Sequence, residues 1–86
     1  MHEVELSSSA QAFFETADAP LQRRLDRCFD QLKNEPRRHN NVKPLKGKWA
    51  GHYRYRVGDW RVIYRIDAQR SLVFVTDIAH RSEVYE

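Results

Sequence analysis

The sequence predicts a single α+β domain, residues 1–86, in which two antiparallel N-terminal helices pack on one face of a twisted antiparallel sheet. In residues 53–66, aromatic and β-branched residues alternate with arginines around a central Gly-Asp pair, which is typical of a β-hairpin. In residues 10–32, apolar residues recur at spacings of three and four, which indicates amphipathic helices. A chain of 86 residues is the size of one small domain.

A short strand and a helix are predicted first. Residues 1–6 alternate polar and apolar side chains, so we expect a strand there. Ser8 and Gln11 have the spacing of a capping box, which predicts a helix over about residues 9–17. That helix would bury four apolar side chains: Ala10, Phe13, Phe14 and Ala17.

A second helix should follow directly. Asp18 can cap it, and Pro20 falls in its first turn, where a missing N–H does no harm. The helix should end near Asn34, because Pro36 disfavours its continuation. The apolar stripe of this helix consists of Leu21, Leu25, Phe29 and Leu32, with Cys28 beside it. The opposite face carries mixed charges that we interpret as solvated: Arg23, Arg24, Arg27 and Asp30.

The C-terminal half is predicted to be mostly strand. Residues 36–47 are polar and basic and contain two prolines, so we expect a connector without a regular element. A type II′ turn at Gly58-Asp59 defines the hairpin register and places Arg56 opposite Arg61. Residues 71–79 are apolar at almost every position, which predicts a third strand covered on both sides.

This register separates two faces of the hairpin. One face is aromatic or apolar, and we interpret its rings as core rather than as stacking platforms for bases: Tyr53, Tyr55, Trp60 and Tyr64, with Trp49 nearby. The other face should be open to solvent. It is named here the basic face and consists of His52, Arg54, Arg56, Arg61 and Arg65 around Ile63.

The basic face is difficult to explain by stability. Like charges directly opposite each other destabilise a sheet by a few tenths of a kcal/mol up to about 1 kcal/mol. We therefore interpret the face as a polyanion-binding surface, most simply for nucleic-acid phosphate, and expect Arg61→Ala to leave stability equal or higher. A solvated edge that happens to be basic is the alternative.

The distribution of charge supports a defined anionic partner. Residues 36–66 hold nine basic residues and one acidic residue, whereas the other 55 residues hold six basic and eleven acidic residues.

No apolar run approaches the roughly 18 residues of a membrane span, and a single cysteine, Cys28, cannot form an internal disulfide. We therefore expect a cytoplasmic protein that does not use a membrane.

The hairpin segment and the C-terminal segment together resemble a known family. The segment LKGKWAGHYRYRVGDWRVIYRI, followed by HRSEVY, resembles the RelE/ParE superfamily of toxins from type II toxin–antitoxin systems. The resemblance covers essentially the whole chain and implies the RelE-like (microbial RNase-like) fold. Members of the RelE branch are ribosome-dependent mRNA endoribonucleases. The resemblance therefore implies a toxin that acts on mRNA at the ribosome and is held by an acidic, RelB-like antitoxin.

The resemblance also implies site residues. The functional positions of the RelE branch fall on Arg54, Arg56, Arg61, Arg81 and Tyr85. Cleavage of RNA by its own 2′-hydroxyl needs a base, an acid and cations, and arginine stays protonated, so proton transfer is left to His80, His52 or Tyr85. The catalytic candidates are Arg61, His80, Arg81 and Tyr85. The RNA-binding candidates are Lys46, Lys48, His52, Arg54, Arg56 and Arg65. We expect no metal and no cofactor, because the Cys, His and Asp residues lack the spacing of a metal site.

Two other classes of function stay open. A ParE-like protein shares the fold but inhibits DNA gyrase as a binding protein. A basic module without catalysis would bind nucleic acid or an acidic partner. Product analysis separates these classes, because only the endoribonuclease cuts mRNA during translation.

Overall fold

The structure, a computed structural model, describes residues 1–84. Two helices and two short 3₁₀ turns accompany five strands. The helices are α1 (Ser8–Thr16) and α2 (Ala19–Asn34), and the 3₁₀ turns are Gly47–Trp49 and Arg81–Glu83. The strands are β1 (Glu3–Leu6), β2 (Val42–Pro44), β3 (Tyr53–Val57), β4 (Trp60–Asp67) and β5 (Leu72–His80).

The five strands form one sheet in the order β1-β5-β4-β3-β2. Strand β1 pairs with β5 in parallel, with Val4 opposite Val73, and the other three pairings are antiparallel. The α+β class with both helices on one face of the sheet is confirmed. The sheet is mixed rather than antiparallel as predicted. The sequence did not show this, because alternation along β1 indicates which side chains share a face but not whether the neighbouring strand is parallel.

Both helices begin at side-chain caps. Ser7, not Ser8, caps α1, and its Oγ accepts a hydrogen bond from the backbone N–H of Ala10 at 3.1 Å. Asp18 caps α2 as predicted, and its Oδ1 accepts from the N–H of Leu21 at 3.0 Å. Each cap satisfies a backbone donor that the first turn leaves without a helical partner.

The hairpin has the predicted register. Gly58 has a φ of +59° and Asp59 does not have a positive φ, as a type II′ turn requires. Arg56 lies opposite Arg61, and Tyr53 lies opposite Tyr64. Extended by one residue, the register set by the Gly58-Asp59 turn would place His52 opposite Arg65, but strand β3 begins at Tyr53 and this pair lies outside the ladder.

The connector contains a strand that the sequence did not predict. Val42 lies opposite Tyr55 and packs against the core, and Pro44 lies opposite Tyr53. Proline is tolerated there because β2 is an edge strand, where a missing backbone donor interrupts no ladder on the open side.

The main core lies between the helices and the sheet. Its fully buried side chains include Leu25, Leu32, Tyr64, Val73 and Val75. The Tyr64 hydroxyl donates a hydrogen bond to the carbonyl oxygen of Pro36 at 2.6 Å, so the buried phenol is satisfied. The interpretation of Tyr55 and Tyr64 as core is confirmed.

A second, smaller core lies on the other face of the sheet. Ile63 is completely buried there against Leu45 and Val84, with Trp49 and Ala79 packed at the edge of this cluster. The expectation that this face is open is therefore wrong at its centre, because the connector and the C-terminal turn cover Ile63. Neither helix within residues 1–84 combines the length and the apolar composition that a membrane span needs.

Candidate nucleic-acid interface

The β3–β4 turn brings three of the predicted site arginines to one end of the sheet. Arg56 and Arg61 lie directly opposite each other, and one further pair, Val57 with Trp60, lies between them and the Gly58-Asp59 turn. Arg81 follows β5, and its backbone N–H donates to the carbonyl oxygen of Asp59 at 2.8 Å. We name Arg56, Arg61 and Arg81 the hairpin-end cluster.

Arg61 is held rigidly within this cluster. Its guanidinium Nη1 donates to the carbonyl oxygens of Gly58 at 2.9 Å and Trp60 at 3.0 Å. The residue is only 8% exposed, so the expectation of a freely solvated Arg61 is wrong. The small core around Ile63 lies on the same face of the sheet.

Arg56 and Arg81 remain accessible to a ligand. Arg56 is exposed, and the Nε of Arg81 lies 3.8 Å from Oδ1 of Asp59 in a pair whose side chains are 64% and 69% exposed. A solvated pair at that distance contributes little to stability. A phosphate could therefore replace Asp59 at small cost.

The other two arginines of the basic face are held by neighbours. Arg54 is half-buried, and its Nη1 donates to the carbonyl oxygen of Asn41 at 2.5 Å. Arg65 is exposed, and its guanidinium carbon lies 5.2 Å from the centre of the Phe74 ring. No sequence pattern identifies Asn41 as this partner, because it lies 13 positions before Arg54 in the chain.

The remaining RNA-binding candidates lie away from the turn. Lys46 and Lys48 are exposed in and beside the 3₁₀ turn of residues 47–49. His52 is half-buried, with its ring edge-on to Trp49 at 5.7 Å between centroids. The five residues of β3 lie between it and Gly58, which makes six residue steps or roughly 20 Å of strand. The structure therefore does not bring His52 to the hairpin-end cluster.

His80 does not share a face with Arg61. Arg61 pairs with Ala79, whereas His80 pairs with Trp60, whose ring packs against Phe13 of α1. The His80 ring meets Trp60 edge-on at 5.4 Å, at the end of the helix-covered face. His80 and Arg61 therefore point to opposite faces of the sheet, because successive residues of a strand do so.

The hydrogen bonds of His80 restrict its chemistry. Its Nδ1 accepts from the backbone N–H of Ser82 at 3.2 Å and lies 2.9 Å from the Ser82 hydroxyl. These contacts occupy Nδ1, so a proton exchanged with a substrate would move through Nε2. Tyr85, the other predicted proton carrier, lies outside the described residues.

Acidic residues lie on the same face of the sheet, mainly on the strands beyond the hairpin. Asp77 of β5 pairs with Ile63 and so borders the hairpin, and Glu3 and Glu5 line β1 beyond β5. The basic residues of this face are therefore gathered on β3 and β4, where they raise the positive potential. Among residues 1–84, no group of three or more His, Cys, Asp and Glu could hold a metal ion.

A family model matches almost the whole chain. The model described as the ParE toxin of the type II toxin–antitoxin system parDE matches residues 4–85. A curated relative, Toxin RelG of Mycobacterium tuberculosis, is 37% identical over 58 residues, which cover 67% of this chain. The match spans 64% of that relative, less than two thirds of its length.

Solved structures share the fold. A chain of the toxin–antitoxin complex RelBE2 from Mycobacterium tuberculosis superposes with a TM-score of 0.80 at 25% identity, covering 93% of this chain and 98% of that one. A chain of the archaeal RelE–RelB complex from Pyrococcus horikoshii gives a TM-score of 0.82 at 24% identity, covering 96% of this chain and 98% of that one.

Proposed function

We propose a function from one premise: the chain belongs to the ParE toxin family of type II toxin–antitoxin systems. We infer that it is a ribosome-dependent mRNA endoribonuclease that inhibits translation in the cytoplasm. The observation that carries this proposal is the hairpin-end cluster. Arg56 and Arg61 lie opposite each other where the fold alone would favour opposite charges, and Arg81 is attached to the same turn.

The reaction needs cations at the phosphate. The 2′-oxygen attacks the neighbouring phosphorus, the bond to the 5′-oxygen breaks, and the products are a 2′,3′-cyclic phosphate and a 5′-hydroxyl. Negative charge grows on the phosphorane oxygens during this step. Prepositioned guanidinium groups stabilise such charge without reorganisation. Arg61 is prepositioned by two backbone carbonyls, and the exposed Arg56 and Arg81 can close on the phosphate.

The two proton transfers need other residues. One group takes the proton of the 2′-hydroxyl, and another gives a proton to the leaving 5′-oxygen. We assign them to His80 and Tyr85. In support, His80 immediately precedes Arg81, and its Nδ1 contacts hold the ring with Nε2 as the working nitrogen. Since His80 lies at the end of β5, a substrate bound over the hairpin end would meet both Arg81 and His80.

The RNA strand would continue over the basic face. Arg54 and Arg65 extend the positive surface from the hairpin-end cluster along β3 and β4, and His52, Lys46 and Lys48 follow at the far end of β3. These residues contact phosphates in our proposal and give affinity rather than sequence choice.

The antitoxin is the second partner. The RelBE2 and RelE–RelB structures are toxin–antitoxin complexes, which supports an acidic, RelB-like antitoxin for this chain.

Product analysis in cells tests this function. Brief expression of the chain should create new 5′-hydroxyl ends within translated mRNA, and blocking translation initiation should remove them. Arg81→Gln should abolish the cuts, whereas Arg70→Gln should not, since Arg70 lies at the distant β4–β5 turn beside Asp67. Intact mRNA together with gyrase-dependent DNA breaks would contradict the proposal and assign the chain to the gyrase-inhibiting branch.

A further inference from the structure

A second basic site lies beside the hairpin, between α2 and the end of β3. It is a cleft of about 320 Å³. Two arginines of α2 reach it from one side, and the hairpin strand forms the other side. Its lining residues are Arg24, Arg27, Cys28, Asn41, Tyr55, Arg56, Val57 and Gly58. We name this space the arginine cleft.

Arg24 connects the helix to the hairpin turn. A Cβ built on Gly58 would lie only 2.6 Å from one guanidinium nitrogen of Arg24 and 3.1 Å from the other. The guanidinium therefore lies directly over the turn, which closes one end of the cleft. Gly58 permits this approach because it has no side chain, in addition to supplying the positive φ of the turn.

Three positive charges line this cleft without acidic partners. Arg24, Arg27 and Arg56 are exposed, and no ion pair in the described chain joins them to a carboxylate. Unpaired cations lining one concave space repel each other and raise the local concentration of anions. The mixed charge on the outer face of α2 is thus not uniformly solvated: two of its arginines face a cleft that contains no acidic lining residue.

The cleft also has a neutral polar and apolar wall. Cys28 is 1% exposed and Tyr55 is 8% exposed, so both form a packed floor. Burial raises the pKa of the Tyr55 phenol, so the ring stays neutral and adds no charge that would repel an anion. Asn41 also lines the cleft, and its side chain hydrogen-bonds to Tyr55. Guanidinium groups above a rigid wall suit a tetrahedral oxyanion, which they bind with paired N–H groups.

We propose that the arginine cleft binds a backbone phosphate of the RNA strand whose neighbouring nucleotides lie over the hairpin-end cluster. This inference rests on the proposed function. Arg56 belongs to both sites, so the two sites are contiguous and a strand that leaves the cluster can pass directly into the cleft. That continuity favours a polynucleotide over the carboxylate of a protein partner. The cleft adds affinity and positions the strand, while bond cleavage occurs at the hairpin end.

Salt dependence of RNA binding tests this assignment. The probe is a 2′-O-methyl RNA dodecamer, which cannot be cleaved through its 2′-oxygen. Each phosphate contact with a single strand contributes about 0.7 to the slope of log affinity against log salt concentration. The double variant Arg24→Gln/Arg27→Gln removes this one phosphate contact and should therefore lower the slope by about 0.7. The single variant Arg27→Gln should lower it by about half as much.

A matched control removes the same net charge elsewhere. Arg23→Gln/Arg70→Gln changes two exposed arginines outside the cleft and should keep the wild-type slope. Thermal melts should show that both double variants fold as the wild type does, because all four side chains are exposed. If the slope of log affinity against log salt concentration fell equally in both double variants, the effect would be one of general charge, and the assignment would be overturned. Failure of the wild type to bind the dodecamer in 50 mM salt would overturn it too.

The same variants separate this inference from the proposed function. In the first outcome, the wild type cuts no mRNA on ribosomes, and the salt slope of RNA binding falls in the cleft double variant but not in the control. The proposed function then fails and the RNA-phosphate site stands. If mRNA is cut normally but the cleft variant keeps its full slope, the site fails alone. If the cleft variant loses affinity only for the co-encoded antitoxin, measured by calorimetry, the cleft binds a protein carboxylate and the RNA assignment is wrong.

Discussion

The guanidinium of Arg61 donates a hydrogen bond to the carbonyl oxygen of Gly58, 2.9 Å away, at the turn of the hairpin on which Arg61 itself lies. This contact makes Arg61 part of the turn as well as part of the candidate site. Its exposed fraction of 8% means that the hydrogen bond is largely shielded from water. Opposite it, Arg56 is exposed. The two arginines of this pair therefore contribute very differently to stability.

We predict that Arg61→Ala lowers the free energy of unfolding by about 1–3 kcal/mol, because two backbone carbonyls lose a charged donor in a shielded place. This reverses the expectation drawn from the sequence alone. Arg56→Ala is the matched control and should change stability by less than about 0.5 kcal/mol, or increase it, because an exposed like charge is removed. Urea unfolding of both variants measures the difference. Equal stability of the two variants would show that the buried hydrogen bonds of Arg61 contribute nothing.

A second prediction separates two roles of His80. Its ring caps the 3₁₀ turn of residues 81–83 through Nδ1, and asparagine can replace a capping acceptor but cannot carry a proton. We expect both His80→Ala and His80→Asn to slow RNA cleavage by about 10²–10⁴-fold at saturating ribosome, with little change in binding. Tyr85→Phe should behave similarly. Recovery of the rate in His80→Asn would assign His80 a structural role only.

The buried Cys28 predicts how stability depends on pH. Burial raises the pKa of the Cys28 thiol far above its ordinary value, so the folded state favours the protonated form. Its contribution is complete below the ordinary thiol pKa near 8.5 and is lost as pH rises further, by up to about 1.4 kcal/mol per pH unit. Burial also raises the pKa of Tyr64, which adds to the loss above about pH 10. Cys28→Ala should flatten the decline between about pH 8.5 and 10. An unchanged slope would show that the thiol is not the group that titrates.

A fourth prediction concerns the antitoxin. An acidic partner that covers the hairpin-end cluster gains Coulomb attraction, but salt screens exposed charges beyond about 8–10 Å under physiological conditions. We expect the partner also to cover apolar surface of the sheet or helices, so that the complex survives about 1 M salt and charge mainly accelerates association. Calorimetry with the co-encoded neighbour over a salt series measures this. An affinity that collapses at high salt would show that charge alone holds the complex.

The alternation of the hairpin was sufficient to predict its register. A Gly-first turn and a face of arginines allow one pairing, and the structure has it from Tyr53–Tyr64 to Val57–Trp60. The helix caps were nearly as well defined, and the shift from Ser8 to Ser7 reflects three consecutive serines, each of which is a suitable cap residue. Local patterns predict these features because the interactions are local in sequence.

Long-range packing could not be predicted in this way. Val84 and Leu45 cover Ile63 from distant parts of the chain, and Arg61 is buried on the same face of the sheet. The arginine cleft depends on how α2 lies over the hairpin turn, so the helical spacing of Arg24 and Arg27 gave no sign of it. The face of His80 was missed for another reason. Without its pairing to Trp60, the last residue of β5 could not be placed on a face.

The most direct test of the central claim is single-turnover cleavage of mRNA on purified, programmed ribosomes, with chemical identification of the new ends. We predict that the wild-type chain produces a 2′,3′-cyclic phosphate and a 5′-hydroxyl. Arg81→Gln should lower the rate by about 10²–10³-fold, and Arg70→Gln should cut at the wild-type rate. Intact mRNA at saturating ribosome, or cleavage by Arg81→Gln as fast as by the wild type, would contradict the assignment of the hairpin-end cluster as an RNA-cleaving site.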